Sequence, residues 1–273
     1  MSGKLYVVGT PIGNLGDLSP RAVNTLEKVD FIAAEDTRVT MKLLNHFNIK
    51  KEMVSYFEHN KRERGEMICS RIAQGENCAL VTDAGMPCIS DPGEDLVKLC
   101  RELNIKVESV PGPTAFATAM ALSGMSSGRF TFEGFLSVNK KSRREYLEEI
   151  KDEKRTLIFY EAPHKLANTL KDLYKVLGDR ELAIVREITK MHEQVIKTTL
   201  KAASEEYTSN TLKGEIVLVI EGRQAETVAD MTLECAVGMA QKLVDGGMSI
   251  NNAAKEIAAQ TPFKKGEIYK ALL

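Results

Sequence analysis

Two carboxylates and a guanidinium follow an apolar stretch near the start of the sequence, without any spacer. Phe31–Ala34 has the composition of a buried strand, and Glu35, Asp36 and Arg38 come soon after it. Neighbouring residues of an extended chain point to opposite sides, so we expect one carboxylate to face a site at the strand end. That carboxylate is a candidate general base for a hydroxyl group, and Arg38 carries the fork that binds phosphate. In the alternative, structural interpretation, the other carboxylate pairs with Arg38 or caps the next helix.

The longest candidate binding loop covers residues 83–93, after the apolar stretch Cys78–Val81. Two glycines and two prolines prevent a helix until the loop is complete. The loop leaves the carboxyl end of a predicted strand, where open α/β sheets bind ligands. Because small residues let a ligand approach the backbone, the pattern predicts a binding site. An ordinary strand-to-helix connection is the alternative, although such connections usually have about two to six residues.

Two further loops, residues 9–17 and 111–114, are also punctuated by glycine and proline. The glycines of the first loop lack the G-x-G-x-x-G spacing and Pro11 interrupts them, which disfavours a dinucleotide site. No Gly-Lys-Ser/Thr follows, so a phosphate-binding P-loop is disfavoured as well. The five cysteines show neither CxxC spacing nor neighbouring histidine pairs, so no metal site is expected.

The order of predicted elements indicates α/β folding in two parts, followed by helices. Strands alternate with helices up to residue 122, which predicts a doubly wound N-terminal α/β domain over residues 1–122. A linker rich in serine and glycine precedes a second α/β domain over 129–222, whose closely spaced strands predict a mixed sheet. Residues 223–273 predict a C-terminal helical segment of three short helices, the first over residues 229–244. These helices form either a helix-turn-helix reader of nucleic acid or a small bundle.

Composition limits the class of protein. The chain has 273 residues, of which 43% are hydrophobic and 27% charged, as in soluble globular proteins. The net charge of −1 gives no signal for nucleic acid, so any RNA contact must come from local basic patches. No window approaches the roughly eighteen apolar residues of a membrane span, and no signal peptide is visible. We therefore expect a cytoplasmic protein with free thiols and no membrane partner.

Five motifs together resemble the tetrapyrrole methylase superfamily. They are the glycine- and proline-rich segments 8–17, 80–93 and 110–115, with Ala-Glu-Asp-Thr-Arg at 34–38 and Tyr-Glu-Ala-Pro-His-Lys at 160–165. The last two motifs resemble the branch of the superfamily that methylates ribosomal RNA. The resemblance implies two α/β domains with S-adenosylmethionine bound in the cleft between them. It also implies methylation of the ribose 2′-hydroxyl of a cytidine in the decoding region of 16S ribosomal RNA.

The sequence offers three groups of candidate site residues, of which the cofactor-binding group is the one that the resemblance implies. The candidates for a catalytic carboxylate are Asp36, Glu35 and Glu161. Residues from both domains would line the cofactor pocket: Pro11, Asp83, Gly85, Met86, Ile89, Thr114, Tyr160, Glu187, Gly214, Glu215 and Ile216. Basic residues would contact RNA phosphates: Arg38, Lys140, Lys141, Arg143 and Arg144. No metal ion is needed, because S-adenosylmethionine carries an already activated methyl group.

Two other functions stay open at this point. A corrin- or porphyrin-type methyltransferase would use the same fold on a macrocyclic substrate. A non-catalytic RNA-binding factor in ribosome assembly would keep the pocket without transferring a methyl group. The resemblance implies 16S ribosomal RNA in the small ribosomal subunit as substrate and a second copy as partner in a homodimer. The apolar residues at 130–132 and 135–136 are expected to help bury the dimer interface.

Overall fold

The structure is a computed structural model, and it describes residues 2–208, 210, 212–224 and 232–273. The chain divides into two compact units, residues 1–222 and residues 223–273. Two five-stranded sheets form the frame of the first unit. The second unit consists of helices.

The first sheet is parallel, with the strand order β3-β2-β4-β1-β5. Its strands are β1 (Lys4–Val8), β2 (Phe31–Ala34), β3 (Glu52–Ser55), β4 (Cys78–Val81) and β5 (Lys106–Val110). The helices that connect them are α1 (Pro20–Lys28), α2 (Thr37–His46), α3 (Lys61–Ala73) and α4 (Gly93–Glu102). Alternate residues of β2 belong to two apolar clusters, one with α3 and α4 and one with α1 and α2. The sheet is therefore covered on both faces, as the continuous apolar strands predict.

The second sheet is mixed, with the order β6-β7-β10-β8-β9. Its strands are β6 (Phe130–Phe135), β7 (Thr156–Glu161), β8 (Glu181–Arg186), β9 (Gln194–Thr199) and β10 (Ile216–Ile220). The helices of this part are α5 (Ala115–Ser123), α6 (Lys140–Glu149), α7 (Leu166–Leu177) and α8 (Leu200–Glu206). Only β6 and β7 pair in parallel, whereas β10 runs antiparallel to both of its neighbours. The predicted mixed sheet is thus present.

Helix α5 precedes the predicted domain linker, yet it packs against the second sheet. Ala119 and Met120 share a buried cluster with Ile158 and Val185 of that sheet. The chain therefore passes from one layer to the other at residues 111–114, before α5. The division into domains at 1–122 and 129–222 stays a prediction. The small apolar residues of α5 predict a tightly packed helix, but they do not show which sheet the helix covers.

The second unit contains three helices: α9 (Leu233–Asp245), α10 (Ile250–Gln260) and α11 (Lys265–Ala271). Alanines from α9 and α10 pack with Ile257 and Ile268 in a core of their own. Three short helices were predicted here, and the first three residues of the expected helix 229–244 lie outside the described residues.

Three general properties of the described residues bear on the kind of protein. No helix among them is long and apolar enough to cross a membrane. The same residues contain no group of three or more histidine, cysteine, aspartate or glutamate side chains placed to hold a metal ion. The five cysteines are free thiols, and three of them are buried.

Candidate functional site

A cavity of about 400 Å³ lies between the carboxyl ends of the first sheet and the second sheet. Its volume is within the range of small-molecule sites. Eight residues that the sequence assigned to the cofactor line it: Asp83, Gly85, Met86, Ile89, Thr114, Tyr160, Glu215 and Ile216. The cavity also contains two of the predicted catalytic carboxylates, Glu35 and Glu161. Residues far apart in the chain thus meet at the place that the loop pattern predicts.

The other three predicted cofactor residues lie beside the cavity. Pro11 lines a smaller, adjoining cavity. The carboxylate of Glu187 accepts a hydrogen bond from the backbone N–H of Glu215 at 3.1 Å, and it pairs with Lys190 at 2.9 Å. A side chain at Gly214 would collide with that carboxylate. Glu187 and Gly214 therefore support the wall that Glu215 forms.

Five carboxylates line the cavity: Glu35, Asp83, Asp91, Glu161 and Glu215. No lysine, arginine or histidine of the described chain lines it. Burial raises the pKa of the Asp83 carboxyl, and the nearby negative charge of Glu35 raises it further. Burial is also the main cause that raises the pKa of Asp91. A cavity with this lining attracts a cationic ligand and repels a polyanion.

The carboxylate of Asp91 organises the loop that closes one side of the cavity. It accepts hydrogen bonds from the backbone N–H groups of Cys88 at 3.1 Å, Ile89 at 3.1 Å and Gly93 at 2.8 Å. The sequence predicts Asp91 as the cap of a helix that starts at Pro92. The structure places Pro92 in the capping position and begins α4 at Gly93. Asp91 therefore stabilises the turn before the helix.

Two close approaches between loops need glycine. Gly85 has a φ of 91° and forms two backbone hydrogen bonds with Thr10, at 2.9 and 3.2 Å. A Cβ atom on Gly9 would lie 2.6 Å from the backbone nitrogen of Gly112. These contacts join the three glycine-rich loops into one wall of the cavity, which explains their small residues.

Asp36 acts as a helix cap rather than as part of the cavity lining. Its side chain accepts a hydrogen bond from the backbone N–H of Arg38 at 2.8 Å and from the Arg38 guanidinium at 2.6 Å. The Arg38 guanidinium lowers the pKa of Asp36 to about 2, which makes its carboxylate a poor proton acceptor. This geometry favours the interpretation in which Asp36 pairs with Arg38 and caps the next helix over the one in which it is a general base. The Arg38 side chain is 87% exposed and keeps a surface that phosphate can reach.

Glu35, the other member of the acidic pair, faces the cavity. Its carboxylate accepts a hydrogen bond from the hydroxyl of Thr82 at 2.5 Å. The backbone N–H of Asp36 donates to the Asp83 carboxylate at 3.0 Å. The adjacent residues Glu35 and Asp36 thus have different surroundings, as expected for neighbours at a strand end.

A chain of side chains connects Glu161 with the outer helices. Glu161 is 5% exposed, and its carboxylate accepts hydrogen bonds from the backbone N–H of Ala162 at 2.7 Å and from the hydroxyl of Thr169. The guanidinium of Arg143 donates to the Thr169 hydroxyl at 3.0 Å and to Asp172 at 2.7 Å. Because the Arg143 side chain is only 13% exposed, the geometry disfavours the predicted phosphate contact for this residue. Arg143 holds Thr169 in place instead.

The remaining members of the predicted RNA-binding cluster are exposed on α6. Lys140, Lys141 and Arg144 all reach solvent, and Lys141 lies 3.9 Å from Glu145. The asparagine before them caps the helix through its side chain. The structure thus separates the basic run into one internal residue, Arg143, and three surface residues.

Sequence reasoning missed three functional positions. Phe135 lines the cavity and contacts the ring of Tyr160 edge to face at 5.5 Å, although the sequence placed it in a dimer interface. Thr169 supports Glu161 from a helix whose composition is ordinary. Asp91, which the sequence predicts as a helix cap, instead accepts hydrogen bonds from three backbone N–H groups of its own loop. A phenylalanine at the end of a predicted strand was the signal available for Phe135, and no local pattern indicates Thr169.

Comparison with known proteins assigns this chain to a family. Residues 4–204 match the family Tetrapyrrole (Corrin/Porphyrin) Methylases. The protein named ribosomal RNA small subunit methyltransferase I from Synechocystis sp. is 46% identical over 272 residues, which cover 99% of this chain and 98% of the relative. The protein of the same name from Haemophilus influenzae is 42% identical over 99% of this chain and 96% of its own length. This chain belongs to the ribosomal RNA small subunit methyltransferase I family of tetrapyrrole methylases.

Solved structures with low sequence identity to this chain agree with the fold. A diphthine synthase aligns with a TM-score of 0.62 at 14% identity, over 82% of this chain and 92% of that chain. A uroporphyrin-III-C-methyltransferase from Thermus thermophilus aligns with a TM-score of 0.58 at 18% identity, over 80% and 94% of the two chains. At these identities the likeness shows the fold alone. Family membership confirms the predicted tetrapyrrole methylase fold and the predicted dependence on S-adenosylmethionine.

Proposed function

We propose that this protein transfers a methyl group from S-adenosylmethionine to the ribose 2′-hydroxyl of a cytidine in the decoding region of 16S ribosomal RNA. The observation that carries the proposal is the acidic cavity at the strand ends of a chain that aligns over 99% of its length with a ribosomal RNA methyltransferase. The names of the curated relatives support the class of substrate. The choice of the cytidine 2′-hydroxyl rests on the motifs at residues 34–38 and 160–165.

The residues of the cavity fit S-adenosylmethionine. When it is bound, the cofactor supplies an activated methyl group on a sulfonium cation. Its positive charges match the carboxylates of the cavity, and no basic side chain of the described residues lines it, although Lys190 pairs with Glu215 at 3.1 Å. Apolar walls from Ile12, Met86 and Ile216 suit its adenine ring. Glycine at position 85 leaves the backbone of the loop open to the ligand.

Asp83 is the carboxylate best placed to accept the proton of the 2′-hydroxyl. Burial and the negative charge of Glu35 raise its pKa, and a raised pKa makes a carboxylate a better proton acceptor. Asp83 lines both the main cavity and the smaller cavity beside it. Hydrogen bonds from the Thr82 hydroxyl to Glu35 and from the backbone N–H of Asp36 to Asp83 hold the two carboxylates in place. We therefore assign the base to Asp83, with Glu35 tuning it.

The smaller cavity is our candidate for the target nucleoside. It has a volume of about 300 Å³ and shares Ile12, Asp83 and Glu215 with the main cavity. Leu15 and Val39 form an exposed apolar edge on it, at 42% and 37% exposure. Enzymes that do chemistry on a base move the nucleotide out of its stack into a pocket with apolar walls, and a cavity with an apolar edge suits an unstacked nucleoside in the same way. A nucleoside in this cavity would bring its ribose to Asp83.

We also infer a cytoplasmic homodimer. The edge strand β6 carries Phe130, which is 39% exposed, and Val138 beyond it is 79% exposed. An apolar edge of this kind suits an isologous contact with a second copy. Phe135 contributes to the cofactor cavity, so it is available to such a contact only in part. Light scattering at micromolar concentration is expected to give twice the chain mass of 30.2 kDa, and the chain mass alone would exclude the dimer.

The test of the proposed reaction uses a labelled cofactor and natural substrate. Small ribosomal subunits from cells that lack the gene are incubated with the protein and with S-adenosylmethionine that carries a trideuterated methyl group. Mass spectrometry of the RNA nucleosides is expected to show the label on the ribose of cytidine. Label on a base, or transfer to a corrin or porphyrin in place of RNA, would contradict the proposal. Calorimetric binding of S-adenosylhomocysteine without any transfer would favour a non-catalytic assembly factor.

A further inference from the structure

A basic groove of about 690 Å³ runs between α6 and α7, on the outer side of the second sheet. Five cationic side chains line it: Lys140, Arg143, Arg144, Lys165 and Lys175. The lining also includes the carboxylates of Glu148 and Asp172. Five cations line this α6–α7 groove, whereas two line the smaller cavity beside the site and none of the described residues that line the main cavity is basic.

Both carboxylates of the α6–α7 groove are already paired. Glu148 lies 3.6 Å from Lys151, and Asp172 lies 2.7 Å from Arg143. Among the residues that the structure describes, no ion pair involves any of the other four groove cations. The groove therefore presents about four uncompensated positive charges to solvent, although the whole chain has a net charge of −1.

Only one layer of side chains separates the α6–α7 groove from the cofactor cavity. Thr169 lines the groove, and its hydroxyl donates to Glu161, which lines the cavity. A long anion in the groove would thus lie close to the site of transfer. The cavity itself is unfavourable for the same anion, because five carboxylates line it and only Glu215 of these five forms an ion pair within the described part of the chain, with Lys190 at 3.1 Å.

We propose that the α6–α7 groove binds the phosphate backbone of the RNA substrate beside the transfer site, through Lys140, Arg144, Lys165 and Lys175. The inference rests on the proposed function, which it extends from the target nucleotide to the neighbouring strand. It adds Lys165 and Lys175 to the contacts expected from sequence. Arg143 is a positioning residue in this arrangement, because it holds Thr169 and Asp172 rather than phosphate.

The experiment compares two double variants with the same change in charge. Arg144→Gln with Lys175→Gln removes two groove cations, whereas Lys171→Gln with Lys201→Gln removes two exposed lysines on α7 and α8 outside the groove. Binding to a 16S RNA fragment that spans the decoding region is measured over a range of salt concentrations. Each lost phosphate contact reduces the magnitude of the negative slope of log K against log salt by about 0.7–0.9. The slope of the groove variant is therefore expected to be smaller in magnitude by about 1.4–1.8.

The control variant is expected to keep the slope of the wild type, and calorimetry is expected to show the same affinity for S-adenosylhomocysteine in all three proteins. Equal slopes for the groove and control variants would overturn the proposal. Unchanged affinity for naked RNA with lost binding to small subunits would also overturn it, in favour of an acidic protein segment in the groove. The salt dependence of RNA binding is measured without methyl transfer. If the proposed reaction is wrong, the slope can still differ between the groove and control variants; if the groove does not bind RNA, the two slopes are equal.

Discussion

Replacement of Thr169 by valine tests whether the buried carboxylate of Glu161 depends on its hydroxyl partner. Thr169 is 1% exposed, and valine has nearly its shape without the donor. The change removes the hydrogen bond to Glu161 and the acceptor for one Arg143 nitrogen, while Arg143 keeps Asp172. Glu161 retains the backbone N–H of Ala162 as a donor.

The expected loss follows from the charge of the partner. A hydrogen bond to a charged group contributes about 1.5–3 kcal/mol, and the loss of the Arg143 contact adds to this, so Thr169→Val is expected to lower the free energy of unfolding by about 2–4 kcal/mol. Thr156→Val is a matched control, because Thr156 is also buried, at 3% exposure, and donates to the neutral carbonyl of Ser126 at 2.7 Å. Its loss is expected to be about 1 kcal/mol.

Urea denaturation followed by circular dichroism measures both losses, and single-turnover methylation measures the effect on the site. A displaced Glu161 is expected to slow Thr169→Val about tenfold, which corresponds to about 1.4 kcal/mol in the barrier. Thr169→Ser keeps the hydroxyl and is expected to restore most of both properties. If Thr169→Val loses no more stability than Thr156→Val and turns over like the wild type, the link between Thr169 and Glu161 has no functional role.

Three further predictions concern the base, the helix cap and the loop contact. Asp83→Asn is expected to reduce single-turnover methylation at pH 7 by about 10²–10⁴-fold at saturating S-adenosylmethionine, and the wild-type rate is expected to rise with pH as the raised pKa of Asp83 is passed. A pH-independent rate would exclude this base. Asp36→Asn is expected to turn over like the wild type, because asparagine also caps helices. The Asp36 carboxylate stabilises the wild-type fold above its unfolded pKa. This contribution is lost as the pH falls towards the folded pKa of about 2. Slow turnover of Asp36→Asn at neutral pH would indicate that Asp36, and not Asp83, is the general base. Gly9→Ala is expected to weaken cofactor binding and lower the melting temperature, since its Cβ would lie 2.6 Å from the backbone of Gly112, whereas Gly128→Ala meets no atom within 4 Å and serves as control. Equal behaviour of the two glycine variants would show that the loops separate freely.

The fold was predictable because its main signals are local. Cys78–Val81 is apolar at every position and is buried at every position, as a strand covered on both faces requires. The loop after it is too rich in glycine and proline for a helix, and the structure uses that property for close contacts with two other loops. The place of α5 was not predictable in the same way, because Ala119 and Met120 would suit either sheet.

The role of individual site residues depended on side-chain partners, near or distant in sequence, that the pattern of residue types does not identify. Asp36 carries the pattern of a cap and of a base alike, and only its bonds with Arg38 separate the two. Arg143 belongs to a basic run that resembles a phosphate site, yet Asp172, 29 residues later, draws it into the fold. Glu161 was predicted from its motif, whereas Thr169, which holds it, has no motif of its own.

The central claim is that this protein places a methyl group on the 2′-hydroxyl of a cytidine in small-subunit ribosomal RNA. Nucleoside mass spectrometry of 16S ribosomal RNA from cells with and without the gene tests it directly. The RNA fragment that spans the decoding region is expected to lose 2′-O-methylcytidine in the deletion strain, to regain it with the wild-type gene and to stay unmethylated with Asp83→Asn. An unchanged amount of 2′-O-methylcytidine in that fragment after deletion would contradict the claim.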